Sequence, residues 1–496
     1  MTRKPNLLFI CADELTRGAL GCYGAGFVHS PNIDRLAQRG TRFSRAYTNS
    51  PLCVPARGAM ATGRFVHQIG CWDNGHPYHG VPPGWAHTLR ASGYRTVSIG
   101  KNHYRSTDDD NGFEEEMLPM HVRGGVGDLF GMLRKESATY PSERVAASTA
   151  GHAGAAQGVV RGPAMMAEVA GAGESNHTEY DRQIAGAACR WLDTHATQPR
   201  SWALYVSFVA PHFPLVAPRE FFDLYPADRL PRPVHYAANE RPVHPVVNAL
   251  SRIWNYDDYF TPEKVMRARA GYYGLVSFLD HHVGMLLASL ERAGALDDTI
   301  VLFTSDHGEM LGNKGLWSTS ALYEESVGIP LMIAGPGITP GAVQDRLVSH
   351  VDIHPTLLEL AGSRAAGHEG PGMSLLATPA APRAVLSEYH AGASITGCFM
   401  LRTDRWKYLR YPGHPSQLFD MDDDPSEARD LAGSDAHQHV LADCEARLRE
   451  FLDPEAVNAR AFADQAATIQ RHGGVEAVKK RGHPGEHAVD RRLGVE

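Results

Sequence analysis

The first long apolar run of the chain reads Asn6-Leu7-Leu8-Phe9-Ile10-Cys11-Ala12-Asp13 and ends in a carboxylate. Apolar residues without polar alternation are typical of a central strand that is buried on both faces, as in a sheet covered by helices on both sides. Similar runs at residues 202–210 and 298–305 predict two more buried strands. The helical period of residues 176–196 and 262–293 predicts long helices. The chain therefore has the pattern of an α/β fold.

Polar residues follow each of these buried strands. Ligands bind beyond the carboxyl ends of the strands in open α/β sheets, so Asp13 lies where a functional carboxylate is expected. The alternative is that Asp13 and Glu14 only cap the next turn. The third run leads into Asp306-His307-Gly308-Glu309. A carboxylate beside an imidazole, with a glycine that lets the backbone approach closely, suits a divalent cation.

Composition and charge narrow the class of protein. The chain has 496 residues, of which 43% are hydrophobic and 21% charged, which is ordinary for a globular protein that could hold two domains. The net charge of −8 argues against a nucleic-acid or acidic-membrane partner. The apolar stretch near the amino terminus is too short for a spanning helix. Seven cysteines without paired spacing favour reduced thiols, so we expect a cytoplasmic location.

A single cysteine stands in an unusual local context, Pro51-Leu52-Cys53-Val54-Pro55-Ala56-Arg57-Gly58. Prolines on both sides hold the thiol at a turn, just before a helix predicted over residues 56–63. The start of a helix directs backbone N–H groups and a positive dipole at an anion. The alternative is an ordinary buried cysteine.

Two further motifs follow predicted strands. Gly100-Lys101-Asn102-His103 ends a strand predicted over residues 94–100, and it places a cation two residues from a titratable ring. Such a pair can neutralise an anionic group and move protons. Pro211-His212-Phe213-Pro214 ends the second buried run, and its two prolines fix the turn that carries His212. A solvated lysine and structural histidines are the alternatives.

These motifs occur in the order found in the sulfatase family, which the chain resembles over roughly residues 5–455. The nearest branches are the bacterial choline-sulfatase-like and arylsulfatase-like enzymes. The resemblance implies an alkaline-phosphatase-like fold, with a large mixed sheet sandwiched by helices and a smaller C-terminal α+β domain made of an antiparallel sheet and a helix. It also implies metal-dependent hydrolysis of small-molecule sulfate esters. In this family a maturation enzyme oxidises the motif cysteine to formylglycine (3-oxoalanine), whose hydrate attacks sulfur.

The resemblance also assigns roles to residues. The implied metal ligands are Asp13, Asp306, His307 and the modified Cys53. The implied catalytic residues are Cys53 as nucleophile, Arg57 beside the hydrate, Lys101 and His212 at the sulfate and the leaving group, and His103 as the base that regenerates the aldehyde. Ca²⁺ is the expected ion, with Mn²⁺ or Mg²⁺ as alternatives, because oxygen ligands suit all three while an imidazole tilts toward a transition metal.

The chain departs from the family pattern at two positions. Many sulfatases have a second aspartate where this chain has Glu14, and the family usually places a sulfate-binding lysine where this chain has Thr319. Lys314 is the predicted substitute for that substrate contact, and a solvent-exposed lysine is the alternative. Asn74, in the turn at residues 71–75, is predicted to line the substrate pocket, and a surface turn is the alternative.

The domain prediction has three parts. Residues 1–375 form the catalytic domain, with an irregular insertion at about 106–175; residues 376–455 form the small C-terminal domain; and residues 456–496 form a tail. A tail of this kind either frays or docks on a neighbouring subunit, as it does in oligomers of choline-sulfatase-like and phosphonate-monoesterase-like relatives. We therefore expect a homo-oligomer.

Two other functions stay open. The same metal and aldehyde can cleave phosphonate monoesters or phosphodiesters, and a site without a lysine at Thr319 is compatible with that chemistry. An unmodified Cys53 would instead leave a metal-binding protein with little hydrolase activity.

Overall fold

The computed structural model describes residues 4–134, 162–362 and 370–481. The strands are β1 Asn6–Asp13, β2 Gly40–Tyr47, β3 Arg95–Lys101, β4 Glu115–Met120, β5 Gly171–Ala172, β6 Trp202–Pro211, β7 Val216–Ala217, β8 Thr299–Ser305, β9 Leu331–Ala334, β10 Ala342–Ser349, β11 Val385–Tyr389, β12 Cys398–Arg402, β13 Trp406–Arg410 and β14 Gln417–Asp420. The helices are α1 Pro31–Arg39, α2 Cys53–Thr62, α3 Val66–Ile69, α4 Trp85–Ala91, α5 Gly162–Val169, α6 Asn176–His195, α7 Arg219–Phe222, α8 Pro245–Trp254, α9 Pro262–Arg292, α10 Glu324–Val327, α11 Ile353–Leu360, α12 Gln438–Phe451, α13 Pro454–Arg471 and α14 Gly474–Arg481.

An eight-stranded mixed sheet dominates the molecule, with the order β10-β2-β9-β8-β1-β6-β3-β4. The neighbours β8, β1, β6, β3 and β4 run parallel, and β9 is antiparallel to both of its neighbours. Every residue of β1, β6 and β8 is buried, which explains their unbroken apolar sequences. The predicted α/β class is confirmed.

Helices cover both faces of this sheet. Leu8 and Ile10 of β1 face a core built with α1, α6 and α9. Leu7 and Phe9 point the other way, toward a core built with α2, α4 and α11. This alternation follows from the two-residue period of a strand, so each strand contributes to two apolar layers. The predicted sandwich of sheet and helices is confirmed.

A second sheet lies nearer the C-terminus. Its four antiparallel strands have the order β11-β12-β13-β14, and α12 packs on it through Cys444 and Leu448 against Leu401 and Tyr408. This is the predicted small α+β unit. The exact domain boundaries stay a prediction.

Three predictions about local structure need correction. The helix predicted from residue 56 begins three residues earlier, at Cys53. Part of the supposedly irregular insertion is regular, since β4 forms the edge strand of the large sheet; residues 135–161 of that insertion lie outside the described residues. Over residues 454–481 the predicted tail does not fray, because α13 and α14 pack on their own chain; its docking on a neighbouring subunit stays a prediction.

The length and hydropathy of the helices also bear on membrane insertion. Within the described ranges, no helix is both long enough and apolar enough to cross a bilayer.

Candidate active site

The sequence motifs converge at the carboxyl edge of the large sheet. Asp13 ends β1 and Lys101 ends β3, while Asp306 and His212 directly follow β8 and β6. The register pairs Ala12 with Ser305, so the next residues of these two parallel strands, Asp13 and Asp306, lie side by side. Four adjacent parallel strands therefore deliver carboxylates, a cation and an imidazole to one place.

Four potential metal ligands lie together at this edge. One donor atom each from Asp13, Cys53, Asp306 and His307 lies within 4.8 Å of the others, and all four residues are buried. Cys53 Sγ is 3.2 Å from His307 Nε2 and 3.7 Å from Asp13 Oδ1.

This donor set fits a divalent cation. The Nδ1 of His307 donates a hydrogen bond to the Gly308 carbonyl oxygen at 3.1 Å, which leaves the lone pair of Nε2 directed at the cluster. Buried carboxylates need paired or coordinated positive charge, and two of them converge here.

Cys53 occupies the first position of α2, where it is only 3% exposed. The residue before it, Leu52, has no side-chain group that could cap the helix. Asn74 supplies a cap from another loop, because its Oδ1 accepts the Val54 N–H at 3.2 Å. The position of residue 53 is thus fixed by a contact that comes from outside its own helix.

Arg57 and Lys101 supply the positive charge around residue 53. The Nε of Arg57 donates to Asp306 at 2.8 Å, and a terminal nitrogen donates to Ser207 Oγ at 2.9 Å. Lys101 Nζ forms an ion pair with Asp13 and lies 3.9 Å from Cys53 Sγ. Both cations are fully buried, so their partners hold them in place.

Charge pairing sets the protonation of the cluster. Burial would raise the pKa of Asp13, but Lys101 and Arg57 outweigh it and hold the pKa below its usual range. Burial would lower the pKa of His307, but the Asp306 and Asp13 carboxylates raise it. Burial, assisted by Asp13, raises the pKa of the Cys53 thiol well above its usual value.

His212 sits in the turn after β6. Its Nδ1 lies 2.7 Å from the Phe213 carbonyl oxygen, which can only accept, so Nδ1 carries the proton in the neutral ring. Burial, and then Lys101 and His177, lower the pKa of His212 well below its usual value. His103 is buried and adopts a left-handed backbone with φ of 58°, its N–H donating to the Met120 carbonyl oxygen at 2.8 Å.

Sequence reasoning missed two residues of α6 that adjoin this turn. The His177 ring lies 5.9 Å from the His212 ring, and burial followed by Lys101 lowers the pKa of His177 to about 4. The carboxylate of Asp181 accepts the N–H groups of Val209 and Ala210, both at 2.8 Å. The signal available in the sequence was their spacing of four residues, which puts both on one helical face.

Glu14 takes no part in the four-atom cluster. It adopts a left-handed backbone with φ of 63°, and Ser318 Oγ donates to its carboxyl at 2.9 Å. Burial, followed by the Glu309 carboxylate, raises the pKa of Glu14 well above its usual range. The backbone N–H of Glu14 nevertheless helps to hold the Asp306 carboxylate in place, because it donates a hydrogen bond to it at 3.1 Å.

The two predicted substrate-binding residues have different outcomes. Asn74 is half-buried beside the first turn of α2, where it caps Val54. Lys314 is not brought to the cluster: its Nζ lies 3.0 Å from Glu325 and 3.8 Å from Glu427. At 2% exposure it is not the solvated lysine of the alternative either. Thr319 donates instead to the Pro51 carbonyl oxygen.

Comparison with known proteins identifies the family of this chain. The sulfatase family model matches residues 5–363, and the C-terminal model of N-sulphoglucosamine sulphohydrolase matches residues 312–453. The chain belongs to the sulfatase family. It is a sulfuric ester hydrolase, and its fold is that of the alkaline-phosphatase-like sulfatases.

Individual relatives cover most of the chain. The choline-sulfatase of Rhizobium meliloti (strain 1021) is 37% identical over 447 residues, which span 87% of this chain and 83% of the relative. Arylsulfatase K of Danio rerio is 29% identical over 483 residues, which span 92% and 85%. The phosphonate monoester hydrolase of Agrobacterium radiobacter has a TM-score of 0.72 and 25% identity, and the match covers 90% of this chain and 95% of that structure.

Proposed function

We propose that this sulfatase hydrolyses the sulfate ester of a small alcohol, with choline sulfate as the first candidate, through formylglycine formed from Cys53 and with one bound Ca²⁺ ion. The observation that carries the proposal is the buried convergence of Asp13, Asp306 and His307 on residue 53. The choline candidate is supported by the 37% identity to a choline-sulfatase. Ca²⁺ is preferred because two of the protein donors are carboxylates.

A sulfate monoester resists attack because its oxygens are negatively charged. When bound, the cation supplies positive charge to the sulfate oxygens, and the formylglycine hydrate supplies the attacking oxygen. Asp13, Asp306 and His307 would hold the cation. Arg57 holds the Asp306 carboxylate in place through a 2.8 Å hydrogen bond.

Lys101 and His212 differ in whether they have a proton to donate. Burial would lower the pKa of Lys101, but the Asp13 carboxylate outweighs burial and raises it. Lys101 therefore stays in the ammonium form beside residue 53, where it can contact a sulfate oxygen. Neutral His212 carries its proton on Nδ1, which is engaged by the Phe213 carbonyl oxygen. Lys101 is therefore the group with a proton to donate to the departing alcohol. His103, two residues further on, is proposed as the base that acts on residue 53.

The setting of the enzyme is also proposed. We infer a cytoplasmic location, a maturation enzyme that oxidises Cys53, and a homo-oligomer. All seven cysteines are free thiols in the structure, which is compatible with a reducing compartment. Light scattering after size-exclusion chromatography measures the oligomeric state directly.

The first experiment tests the modification and the metal. Trypsin releases residues 46–57, and conversion of Cys53 to the aldehyde lowers the mass of this peptide by about 18 Da. We expect Ca²⁺ in the purified protein by elemental analysis, loss of activity with a chelator and recovery with added Ca²⁺. Cys53→Ala should reduce kcat/KM at least ~1,000-fold, whereas Cys22→Ser, away from the cluster, should not. Full activity with an unmodified peptide mass would refute the formylglycine route.

The second experiment tests the substrate. Sulfate release from choline sulfate and from an aryl sulfate is compared with hydrolysis of a phenyl phosphonate monoester by the same preparation. Phosphonate hydrolysis is the second candidate, favoured by the 0.72 TM-score to a phosphonate monoester hydrolase. We expect the highest kcat/KM on choline sulfate. A higher kcat/KM on the phosphonate would overturn the proposed substrate class.

A further inference from the structure

The helices α13 and α14 follow the segments matched by the two family comparisons, which end at residues 363 and 453. α13 is nevertheless well packed, and its inward face buries Val457, Ala461, Gln465, Thr468 and Ile469. A solvated tail would not bury a glutamine to 1% exposure. This face therefore has a specific partner within the chain.

That partner is the segment 65–76, which directly follows the helix carrying Cys53. Trp72 Nε1 donates to Asp464 at 2.8 Å, and His76 Nε2 lies 3.1 Å from Thr468 Oγ1. Arg460 donates to the carbonyl oxygen of His67. α13 is thus attached at several points along the segment.

Gln465 makes the most deeply buried of these contacts. Its Nε2 donates to Asp73 Oδ2 at 2.7 Å and to the His390 carbonyl oxygen at 2.6 Å. The other oxygen of Asp73 accepts the Gly75 N–H at 2.8 Å and lies 3.0 Å from His76 Nδ1. Gln465 thereby fixes the carboxylate that shapes the turn at residues 73–76.

This turn reaches the nucleophile through Asn74, which caps Val54. A second segment, which contains Gly127 and Asp128, also packs closely against this turn. The Asp128 N–H donates to the Asn74 carbonyl oxygen at 3.1 Å, and a Cβ on Gly127 would lie 1.9 Å from that oxygen. Residues 129–133 in turn share a small apolar core with Ile469 and Val478 of α13 and α14.

We propose that α13 helps to position residue 53, and that Gln465 is the positioning residue, which acts on residue 53 through Asp73 and Asn74. The inference rests on the proposed function of Cys53 as the nucleophile. Because the helix of Cys53 lacks a cap of its own, removing Gln465 loosens the one side-chain hydrogen bond that, among the described residues, caps a backbone N–H of its first turn. The reacting atom is then held less well relative to Lys101 and the metal ligands.

The test measures Gln465→Leu, which keeps the bulk of the side chain but loses its hydrogen bonds to Asp73 and the His390 carbonyl oxygen and the one that its Oε1 accepts from Arg134 at 3.5 Å. Activity is expressed per formylglycine-containing molecule, so incomplete maturation does not affect the comparison. We expect kcat to fall roughly 10- to 100-fold with little change in KM, because misplacement of a reacting group mainly lowers the rate of chemistry. Amide exchange in residues 53–58 should quicken, while the strands of the C-terminal sheet stay protected.

Two further variants keep the test decisive. Gln470→Leu, at an exposed position of the same helix, is the matched control and should behave as wild type. Thr468→Val keeps the side-chain shape, loses the contact with His76 and should show a smaller fall in kcat, even if Gln465→Leu fails to fold. Unchanged kcat and unchanged exchange at residues 53–58 in both buried variants would overturn the inference. Failure of the proposed function is a separate result, since it would appear in the wild-type protein.

Discussion

A single glycine shows how closely the chain packs at the site. Gly308 follows Asp306 and His307, two of the proposed metal ligands, and its N–H donates to the Ser326 carbonyl oxygen at 2.8 Å. A Cβ added to it would lie 2.0 Å from the Glu325 carbonyl oxygen, which is backbone and cannot turn aside. The sequence-based expectation that this glycine permits close backbone approach is met by that distance.

Gly308→Ala should therefore displace the Asp306-His307 pair. We expect a loss of about 1–3 kcal/mol in the free energy of unfolding from overpacking, together with weaker binding of the proposed Ca²⁺ ion. Thermal denaturation and a metal titration measure the two effects. Gly433→Ala is the control, because that glycine is exposed and has no atom within 4 Å of an added Cβ. Wild-type metal affinity in Gly308→Ala would contradict this account.

At the scale of elements, the site depends on where strands end and on what holds those ends. β6 finishes in the turn that carries His212, and α6 packs beside it. The Asp181 carboxylate accepts two successive backbone N–H groups at the end of β6. Burial raises the pKa of Asp181 to about 7, and the two N–H groups oppose that rise. A helix thus fixes the geometry of the neighbouring strand end.

Asp181→Asn tests this support. The two N–H groups donate to different oxygens of Asp181, so an amide in the same position places its NH₂ against one of them. We expect kcat to fall roughly tenfold through misplacement of His212, with a smaller effect on Tm. Asp193→Asn is the matched control, since Asp193 lies at the exposed end of the same helix. If the Asp181→Asn variant is fully folded and has the wild-type kcat, the turn keeps its geometry without support from Asp181.

The strands and their polar ends could be predicted because burial on both faces leaves a continuous apolar run, as in β1, and because local motifs follow each run. The partners of isolated polar residues could not be predicted. Nothing in the local sequence around Lys314 predicts burial, yet its side chain is buried in ion pairs with Glu325 and Glu427. The docking of α13 could not be predicted for the same reason. Gln465 and Asp73 contact each other but lie 392 residues apart in the sequence, so no local pattern links them.

At the scale of the whole molecule, buried charge joins the two sheets. Lys407 of β13 is fully buried and pairs with Glu427 at 2.7 Å and with Glu324 of α10 at 3.1 Å. Glu324 also pairs with Arg17, which follows β1, at 2.6 Å. Removing one partner from such a network leaves an uncompensated charge, so the network makes the relative position of the sheets specific.

The pair His67 and Glu388 joins α3 to the C-terminal sheet, and the strength of this contact depends on pH. His67, in α3, lies 2.8 Å from Glu388 of β11. Burial would raise the pKa of Glu388, but His67 and His390 lower it to about 2. Burial would lower the pKa of His67, but the Glu388 carboxylate raises it. The carboxylate therefore stabilises the fold above its unfolded pKa of about 4.3 and loses that effect as the pH falls toward 2. The imidazolium stabilises the fold below about pH 6.5 and loses its effect as the pH rises through the higher folded pKa.

We therefore expect the coupling between these residues to be largest between about pH 4.5 and 6.5. A double-mutant cycle of His67→Gln and Glu388→Gln, followed by denaturant unfolding at several pH values, measures it. The coupling energy should reach about 1–3 kcal/mol in that window, as for a buried hydrogen bond between charged groups, and should decline at higher pH as His67 loses its proton. A coupling energy that stays constant from pH 5 to 9 would mean that the contact does not depend on a charged histidine.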